Sequence, residues 1–216
     1  MASKVSKRDF WEERYLTNNI PWDIGQAAPA FVKYFRCRGL LQQTPTTLKI
    51  AVLGCGGGHD AFYLAKLKEG EVNEPRVQVY GFDFSEAAIK LCNEVKEKKN
   101  LKNINFYHVD FFYLIKEKNW GAYFDLIVEH TSLCAIDPLC RKEYADLIKY
   151  LLKPNGKLIG LFFIRPIELG GPPFGSTQEE IRELFKNDFL EIEKLRHESC
   201  PHTFTGEEHF GVFEKK

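Results

Sequence analysis

The feature that most constrains the fold is an alternation of strand-like and helix-like segments through the middle of the chain. Short apolar runs rich in β-forming residues occupy 48–54, 76–83, 104–110, 123–130 and 156–164, and helical patterns at 58–68, 85–98 and 138–152 lie among them. Strands that alternate with helices form right-handed βαβ units. The pattern therefore predicts a mostly parallel sheet, and the continuous apolar character of its strands predicts helices on both faces.

Both ends of the chain depart from this alternation. Before residue 48 there is no strand pattern, only helix-like stretches at 11–19 and 29–41. Near the C-terminus two β-like runs, 189–195 and 207–216, are joined by a short polar segment. We expect these two runs to form an antiparallel hairpin at the edge of the sheet.

Composition and charge exclude several classes of partner. Lys plus Arg and Asp plus Glu number 30 each, so the formal net charge is zero and no basic stripe indicates nucleic acid. None of the six cysteines forms a C-x-x-C pair, so the spacing of a structural zinc site is missing and we expect no metal. The chain starts with polar residues, and its longest apolar run, 158–164, is too short for a bilayer. We expect a cytoplasmic protein without a membrane partner.

A glycine cluster follows the first strand pattern, in the sequence IAVLGCGGGHD, residues 50–60. Glycine at a strand-to-helix junction lets a ligand approach the backbone, and ligands of open α/β sheets bind at the carboxyl ends of the strands. Asp83 ends the second strand pattern, where a carboxylate can accept hydrogen bonds from ribose hydroxyls.

Two cofactor classes use such a layout. Counted from Gly56, the loop fits the G-x-G-x-x-A form of a dinucleotide site, so its spacing does not exclude a dinucleotide. Counted from Gly54, glycines at alternate positions start directly at the strand end, which favours S-adenosylmethionine. The third strand ends in Asp110 and Phe111, an acid and an aromatic that suit an adenine ring. This third signal decides our prediction for S-adenosylmethionine.

The chain resembles the class I S-adenosylmethionine-dependent methyltransferases of the thiopurine, thiol and halide methyltransferase group. The resemblance is carried by FWEERYLTNNIPWDIGQAAP (10–29), VLGCGGGHDAFYLA (52–65), FDLIVEHTSLCAIDP (124–138), LKPNGKLIGLFF (152–163) and GGPPF (170–174). It implies an α/β fold: a Rossmann-like, doubly wound, seven-stranded, mostly parallel sheet with a C-terminal antiparallel hairpin and an N-terminal helical lid. We expect one methyltransferase domain over 1–216, with the lid segment at 1–46 and the core at 47–216.

The resemblance also implies a set of cofactor-binding residues: Trp11, Tyr15, Trp22, Gly54, Gly56, Asp83, Phe84, Asp110, Phe111 and His130. The methyl donor is a sulfonium cation, which aromatic faces attract. Trp11 and Tyr15 are four residues apart and share one helix face, where they either contact the cofactor, anchor the N-terminal segment, or do both. Asp23 is expected to bind the acceptor, to support the site from behind, or to cap a helix.

One motif departs from the relatives. After the fourth strand the group often has an acid, an aromatic residue and Thr, whereas this chain has Glu129, His130 and Thr131. A histidine can stack as an aromatic does, and it can also move a proton near neutral pH. His130 and Glu129 are therefore the candidate catalytic residues, either one serving as general base for a neutral thiol.

The function implied is transfer of a methyl group by in-line displacement to a small soft nucleophile: a thiol, a thiopurine or a halide. The pocket roof is expected from 22–26 and from 165–174, where Arg165 is either an attractor of an anionic acceptor or a surface ion-pair partner, and Phe174 contacts the acceptor. The alternatives are a methyltransferase of nitrogen or oxygen in another small molecule, a non-catalytic cofactor-binding protein and, more distantly, a dinucleotide oxidoreductase. We expect a monomer or a weak homo-oligomer whose only partner is the small-molecule acceptor.

Overall fold

The fold is a seven-stranded α/β sheet, seen in a computed structural model that describes residues 4–38, 47–67, 77–198 and 206–216. The strands are β1 (Leu48–Leu53), β2 (Val77–Asp83), β3 (Ile104–His108), β4 (Phe124–His130), β5 (Leu152–Ile164), β6 (Phe189–Glu198) and β7 (Glu207–Lys215). The helices are α1 (Arg8–Leu16), α2 (Pro29–Arg38), α3 (His59–Ala65), α4 (Glu86–Lys98), α5 (Arg141–Leu151) and α6 (Gln178–Phe185).

The strand order is β3-β2-β1-β4-β5-β7-β6. Strands β1 to β5 pair in parallel, and β7 is antiparallel to both β5 and β6. This confirms the predicted fold class, including the C-terminal hairpin at the sheet edge. The chain runs from β1 outward to β3 and then returns to place β4 on the other side of β1. That reversal is the switch point at which open α/β sheets bind their ligands.

Apolar side chains fill both faces of the sheet. Ile50 and Val52 belong to one buried cluster, together with side chains of α2, α3 and α4, whereas Ala51 and Leu53 belong to a second cluster on the opposite face with α5 and α6. Successive residues of a strand point to opposite faces. Because both faces are covered, the strands are apolar at nearly every position, as the sequence predicted.

Some element boundaries differ from the prediction. Strand β5 starts at Leu152 rather than 156, because the KPNG segment stays in the strand, where the β4–β5 register shifts between Phe124 and Leu126. The predicted helix at 138–152 starts as a short 3-10 helix, Pro138–Cys140, before α5. Strand β3 ends at His108, because Asp110 caps a 3-10 helix, Phe111–Lys116. The predicted ends at 41, 68 and 76 lie outside the described residues. Within the described ranges, no helix is both long and apolar enough to cross a membrane.

Candidate active site

The candidate site is a cavity of about 530 Å³ at the switch point between β1 and β4. Its walls come from the glycine loop, the tips of the parallel strands, the N-terminal segment and the segments that follow β4 and β5. Eleven of the residues predicted from the sequence line it: Trp11, Tyr15, Trp22, Asp23, Gly54, Gly56, Asp83, Phe84, Asp110, Phe111 and His130. Glu129, Arg165 and Phe174 do not.

The conformation of the glycine loop lets a ligand approach its backbone closely. Gly54, Gly56 and Gly58 have φ values of +61°, +50° and +77°, a region that residues with a side chain rarely adopt. A Cβ atom at Gly54 would lie 2.5 Å from Ser132 Oγ, and one at Gly56 would lie 2.6 Å from the Tyr15 hydroxyl oxygen. Only glycine therefore fits, and the exposed backbone forms a cradle that suits the amino-acid end of S-adenosylmethionine.

Asp83 lies at the tip of β2 and holds the glycine loop. Its Oδ2 accepts the Gly56 N–H at 2.8 Å, and its Oδ1 accepts the Ser85 N–H at 2.8 Å. Burial raises the pKa of the Asp83 carboxyl, and these two N–H groups oppose that rise. A carboxylate that borders the cavity, with lone pairs beyond those two bonds, is suited to accept the hydroxyls of a ribose.

Asp110 occupies the corresponding place after β3. Its Oδ1 accepts the Phe112 N–H at 3.0 Å and caps the 3-10 helix that follows. Burial raises the pKa of the Asp110 carboxyl. The ring of Phe111 borders the cavity and also packs against Tyr144, with 5.5 Å between the ring centroids. An acceptor group beside an aromatic ring is the pairing expected for an adenine.

The N-terminal aromatics form one cluster over the glycine loop. The Trp11 and Trp22 rings meet edge to face, with centroids 5.5 Å apart. The Trp22 indole N–H donates to the Tyr15 hydroxyl oxygen at 3.4 Å, and the Trp11 indole N–H donates to the Val5 carbonyl at 2.9 Å. All three rings border the cavity, so both expectations, anchoring and cofactor contact, are compatible with their positions.

His130 lies between two carboxylates. Its Nδ1 is 2.8 Å from Asp60 Oδ2, and its Nε2 is 3.4 Å from Glu208 Oε1. Burial by itself lowers the pKa of the His130 ring, but Asp60 and Glu208 outweigh burial and raise it to about 10. A ring that keeps its proton at neutral pH is poorly suited to act as a general base.

Glu129 points away from the cavity, because neighbouring strand residues face opposite sides and His130 faces inward. Its side chain is fully buried, and its Oε1 accepts the Leu133 N–H at 2.8 Å. Burial raises the pKa of the Glu129 carboxyl to about 7. Thr131, which follows, has φ of +64°, an unusual conformation for a β-branched residue, and it returns the chain to the cavity wall.

The roof after β5 differs from the prediction. Pro172 and Pro173 border the cavity, whereas Arg165 and Phe174 do not. The Arg165 guanidinium donates to the Pro173 carbonyl at 3.2 Å, and the Phe174 N–H donates to the Cys134 carbonyl at 2.7 Å. These two bonds hold the segment that carries the prolines, and the contacts of Arg165 and Phe174 with the acceptor stay predictions.

Asp23 anchors the N-terminal segment beside the glycine loop. Its Oδ1 is 2.9 Å from His59 Nε2 and accepts the Gly25 N–H at 2.7 Å. Asp23 raises the pKa of the His59 ring, while burial opposes the rise. Asp23 does not cap a helix in this structure; it ties one wall of the cavity to the start of α3.

Three acidic residues were missed by the sequence reasoning: Asp60, which borders the cavity, and Glu12 and Glu208, which do not border it. Asp60 follows the glycine loop directly and lies in the first turn of α3, so its position was a visible signal. It contacts His130 and also accepts the Ala28 N–H at 2.8 Å. Glu208 lies on β7 between Glu207 and His209, and only the three-dimensional fold brings it to His130.

The sheet order, the glycine loop and the carboxylate at the tip of β2 define a Rossmann-like cofactor-binding fold. Solved methyltransferases share it. A Burkholderia thailandensis 1,6-didemethyltoxoflavin-N1-methyltransferase with bound S-adenosylhomocysteine matches with a TM-score of 0.72 and 16% identity, over 97% of this chain and 87% of that one. The N-methyltransferase NodS of Bradyrhizobium japonicum, in complex with S-adenosylhomocysteine, matches with a TM-score of 0.68 and 17% identity, over 95% and 96%.

The sequence relatives narrow the class. The family model of thiopurine S-methyltransferase matches residues 6–216. Thiocyanate methyltransferase 1 of Arabidopsis thaliana is 32% identical over 98% of this chain and 87% of its own length. Thiopurine S-methyltransferase of Vibrio campbellii is 26% identical over 83% and 82%. The chain belongs to the thiopurine S-methyltransferase family. It is an S-adenosylmethionine-dependent S-methyltransferase that acts on a small molecule.

Proposed function

We propose that the methyl acceptor is a small soft nucleophile that reaches the cavity already ionised: a thiolate, including that of a thiopurine, or an anion such as iodide or thiocyanate. The observation that carries this proposal is the position of His130 between Asp60 and Glu208, whose carboxylates raise the pKa of its ring to about 10. The other candidate base, Glu129, does not border the cavity. Since neither of the two predicted bases is suited to take a proton from the acceptor, the site suits an acceptor that arrives without one.

S-adenosylmethionine supplies a methyl group that its sulfonium already activates, so the acceptor attacks the methyl carbon in line with the leaving sulfur. We assign the cofactor to the glycine loop, Asp83, Phe84, Asp110 and Phe111, all of which border the cavity. This chain then has to align two reactants and exclude water, which is a large contribution in principle. His130 keeps its proton and fixes the wall at the tip of β4.

The N-terminal aromatics complete the proposed site. Trp11, Tyr15 and Trp22 present ring faces or edges to the cavity above the glycine loop. Each aromatic face can attract a cation such as the sulfonium by about 0.5–2 kcal/mol. Pro172 and Pro173 close the acceptor side with apolar surface. An apolar roof favours a polarisable acceptor over a strongly hydrated one.

We propose further that the chain acts as one methyltransferase domain, since both apolar clusters pack against the same sheet. We propose the cytoplasm as its location and a monomer or weak homo-oligomer as its state. Its balanced charge supports the absence of a nucleic-acid partner.

The test is a competition assay with purified protein and a labelled methyl donor. The acceptors are iodide, thiocyanate, hydrosulfide, an aryl thiol, a thiopurine and a primary amine. We expect turnover of the sulfur acceptors or iodide and none of the amine. Across thiols, kcat/KM should rise with the ionisation of each thiol itself and show no additional protein group that must lose a proton near neutral pH. Preferred methylation of the amine would contradict the proposal and support the nitrogen or oxygen alternative.

A further inference from the structure

Glu12 of α1 connects the N-terminal helix to the start of α4. Its Oε2 accepts the Ser85 hydroxyl at 2.7 Å, and its two carboxylate oxygens lie 3.2 and 3.3 Å from the Ala87 N–H. Burial raises the pKa of the Glu12 carboxyl, but the bonds from Ser85 and Ala87 outweigh burial and leave that pKa lowered. Glu12 itself does not border the cavity.

The same hydrogen bonds continue to the cofactor side of the cavity. Ser85 donates its N–H to Asp83 Oδ1 at 2.8 Å, and its hydroxyl oxygen accepts the Ala88 N–H at 3.1 Å. The other oxygen of Asp83 accepts the Gly56 N–H at 2.8 Å. A continuous series of bonds therefore runs from α1 through Ser85 and Asp83 to the glycine loop.

A second residue of α1, Tyr15, contacts the glycine loop directly. Tyr15 lies three residues after Glu12, on the same side of the helix. Its hydroxyl oxygen lies 2.6 Å from the place that a Cβ atom of Gly56 would take. The helix thus contacts the carboxylate support of the loop at one point and the loop itself at another.

Besides these bonds, the contacts of Trp11 and Tyr15 with Trp22 hold this helix. No residue of α1 is fully buried, and the N-terminus of the helix has no side-chain cap. A helix without a buried face depends on specific contacts for its position. The bonds from Glu12 to Ser85 and Ala87 place an anion at the N-terminus of α4, where it is stabilised by the unpaired N–H groups of the first turn.

We propose that Glu12 is a positioning residue for the cofactor: it couples the seating of α1 to the alignment of Asp83 and Gly56. Cofactor affinity then depends on a side chain that does not touch the cofactor. The coupling holds for any methyl acceptor, so it stands independently of the proposed acceptor class.

The test measures S-adenosylhomocysteine binding by calorimetry. Glu12→Ala removes the carboxylate that accepts the Ser85 hydroxyl and the Ala87 N–H. We expect the Kd of this variant for S-adenosylhomocysteine to rise about tenfold, as for loss of a hydrogen bond to a charged group. Glu12→Gln keeps one acceptor oxygen and should fall between Glu12→Ala and the wild type. The KM for S-adenosylmethionine should rise in parallel, while kcat at saturating donor stays close to that of the wild type. Glu13→Gln, on the next residue of the helix, is the matched control and should bind as the wild type does.

A double-mutant cycle with Ser85→Ala separates coupling from a general loss of stability. If Glu12 acts through Ser85, the double variant Glu12→Ala/Ser85→Ala should bind S-adenosylhomocysteine no more weakly than Ser85→Ala alone. Wild-type affinity in Glu12→Ala would overturn the proposal. Fully additive effects in the cycle, or a lower Tm without a change in Kd, would overturn it as well.

Discussion

The floor and the roof of the cavity are built in different ways. The floor, which is the glycine loop at 54–58 with Asp83 and Asp110, is held by backbone conformation and by short bonds between neighbouring strand tips. The roof, which is formed by residues 11–26 and by Pro172 and Pro173, is held by side-chain contacts, such as those of Asp23 with His59 and of Arg165 with the Pro173 carbonyl. His130 borders the cavity at the tip of β4.

Under the proposed function, the floor binds the cofactor and the prolines of the roof contact the acceptor. The sheet that carries the floor has the same fold in solved N-methyltransferases. Changes in the floor should therefore weaken the enzyme with every acceptor equally, whereas changes in the roof should alter the ranking of acceptors.

The largest effect is expected at the floor, from Gly56→Ala. The new Cβ would meet the Tyr15 hydroxyl at 2.6 Å, and alanine would also be forced to φ of +50°. We expect S-adenosylhomocysteine affinity to fall about a hundredfold, because the strain and the blocked approach act together. Gly25→Ala is the matched control: it has φ of +70° but no atom within 4 Å of the new Cβ. Equal losses in the two variants would show that strain alone matters and that the loop is not a cradle.

The next largest effect is expected from a substitution of His130. His130→Gln leaves the Asp60 and Glu208 carboxylates without their cation, and we expect a loss of about 3 kcal/mol in the free energy of unfolding by urea. Turnover of the folded variant with an acidic thiol should fall by less than about tenfold, whereas loss of a general base costs about 10²–10⁴-fold. His197→Gln, on the exposed side of β6, is the control. A loss of several hundredfold in turnover would instead indicate that His130 acts as the general base.

The group of His130, Asp60 and Glu208 also predicts how the stability of the protein depends on pH. The pKa of His130 is raised from 6.5 to about 10 in the folded protein, so its stabilising effect is complete below pH 6.5 and is lost as the pH rises towards 10. Unfolding free energies of the wild type should therefore fall over this range more steeply than those of His130→Gln. Parallel curves would contradict the assignment of a protonated ring.

A smaller and more selective effect is expected at the roof. Pro173→Ala removes apolar volume that borders the cavity but keeps the carbonyl that Arg165 contacts. We expect the kcat/KM ratio of an aryl thiol to iodide to change about three- to tenfold, with S-adenosylhomocysteine affinity unchanged. Pro166→Ala, in the same segment but away from the cavity, is the control. An equal loss of kcat/KM for both acceptors would contradict the proposal that the roof sets the preference among acceptors.

The smallest effect is expected from the ion pair of Asp23 with His59. Asp23 raises the pKa of His59, so the pair is fully formed below the ordinary value of 6.5 and weakens as the pH rises through the raised value. Because His59 is partly exposed, Asp23→Asn should change the apparent affinity for S-adenosylhomocysteine by only about twofold at pH 6. The variant should also lose the decline in affinity that the wild type shows towards alkaline pH. An identical decline in both proteins would contradict a role for this pair in holding the roof.

The predictability of the site from sequence follows the same division. Gly54, Asp83 and Asp110 could be predicted because each is fixed by its place at the end of a strand, a local property that the apolar pattern reveals. Arg165 and Phe174 were predicted to face the acceptor, but neither borders the cavity. The Arg165 guanidinium instead donates to the Pro173 carbonyl, a contact that the sequence pattern does not reveal.

The environment of His130 could not be predicted from the sequence for a related reason. Its partner Asp60 is 70 residues away, and Glu208 comes from the C-terminal hairpin. No spacing rule reports contacts between such distant segments. The residue type was visible, but its protonation state depends on the tertiary fold.

Calorimetric titration of the wild type and of Asp83→Ala with S-adenosylhomocysteine tests the central claim most directly, namely that the floor binds this cofactor. Asp83 borders the cavity and holds both Gly56 and Ser85, so the account predicts clear binding to the wild type and a loss of about a hundredfold or more in the variant. Undiminished binding by Asp83→Ala would contradict it.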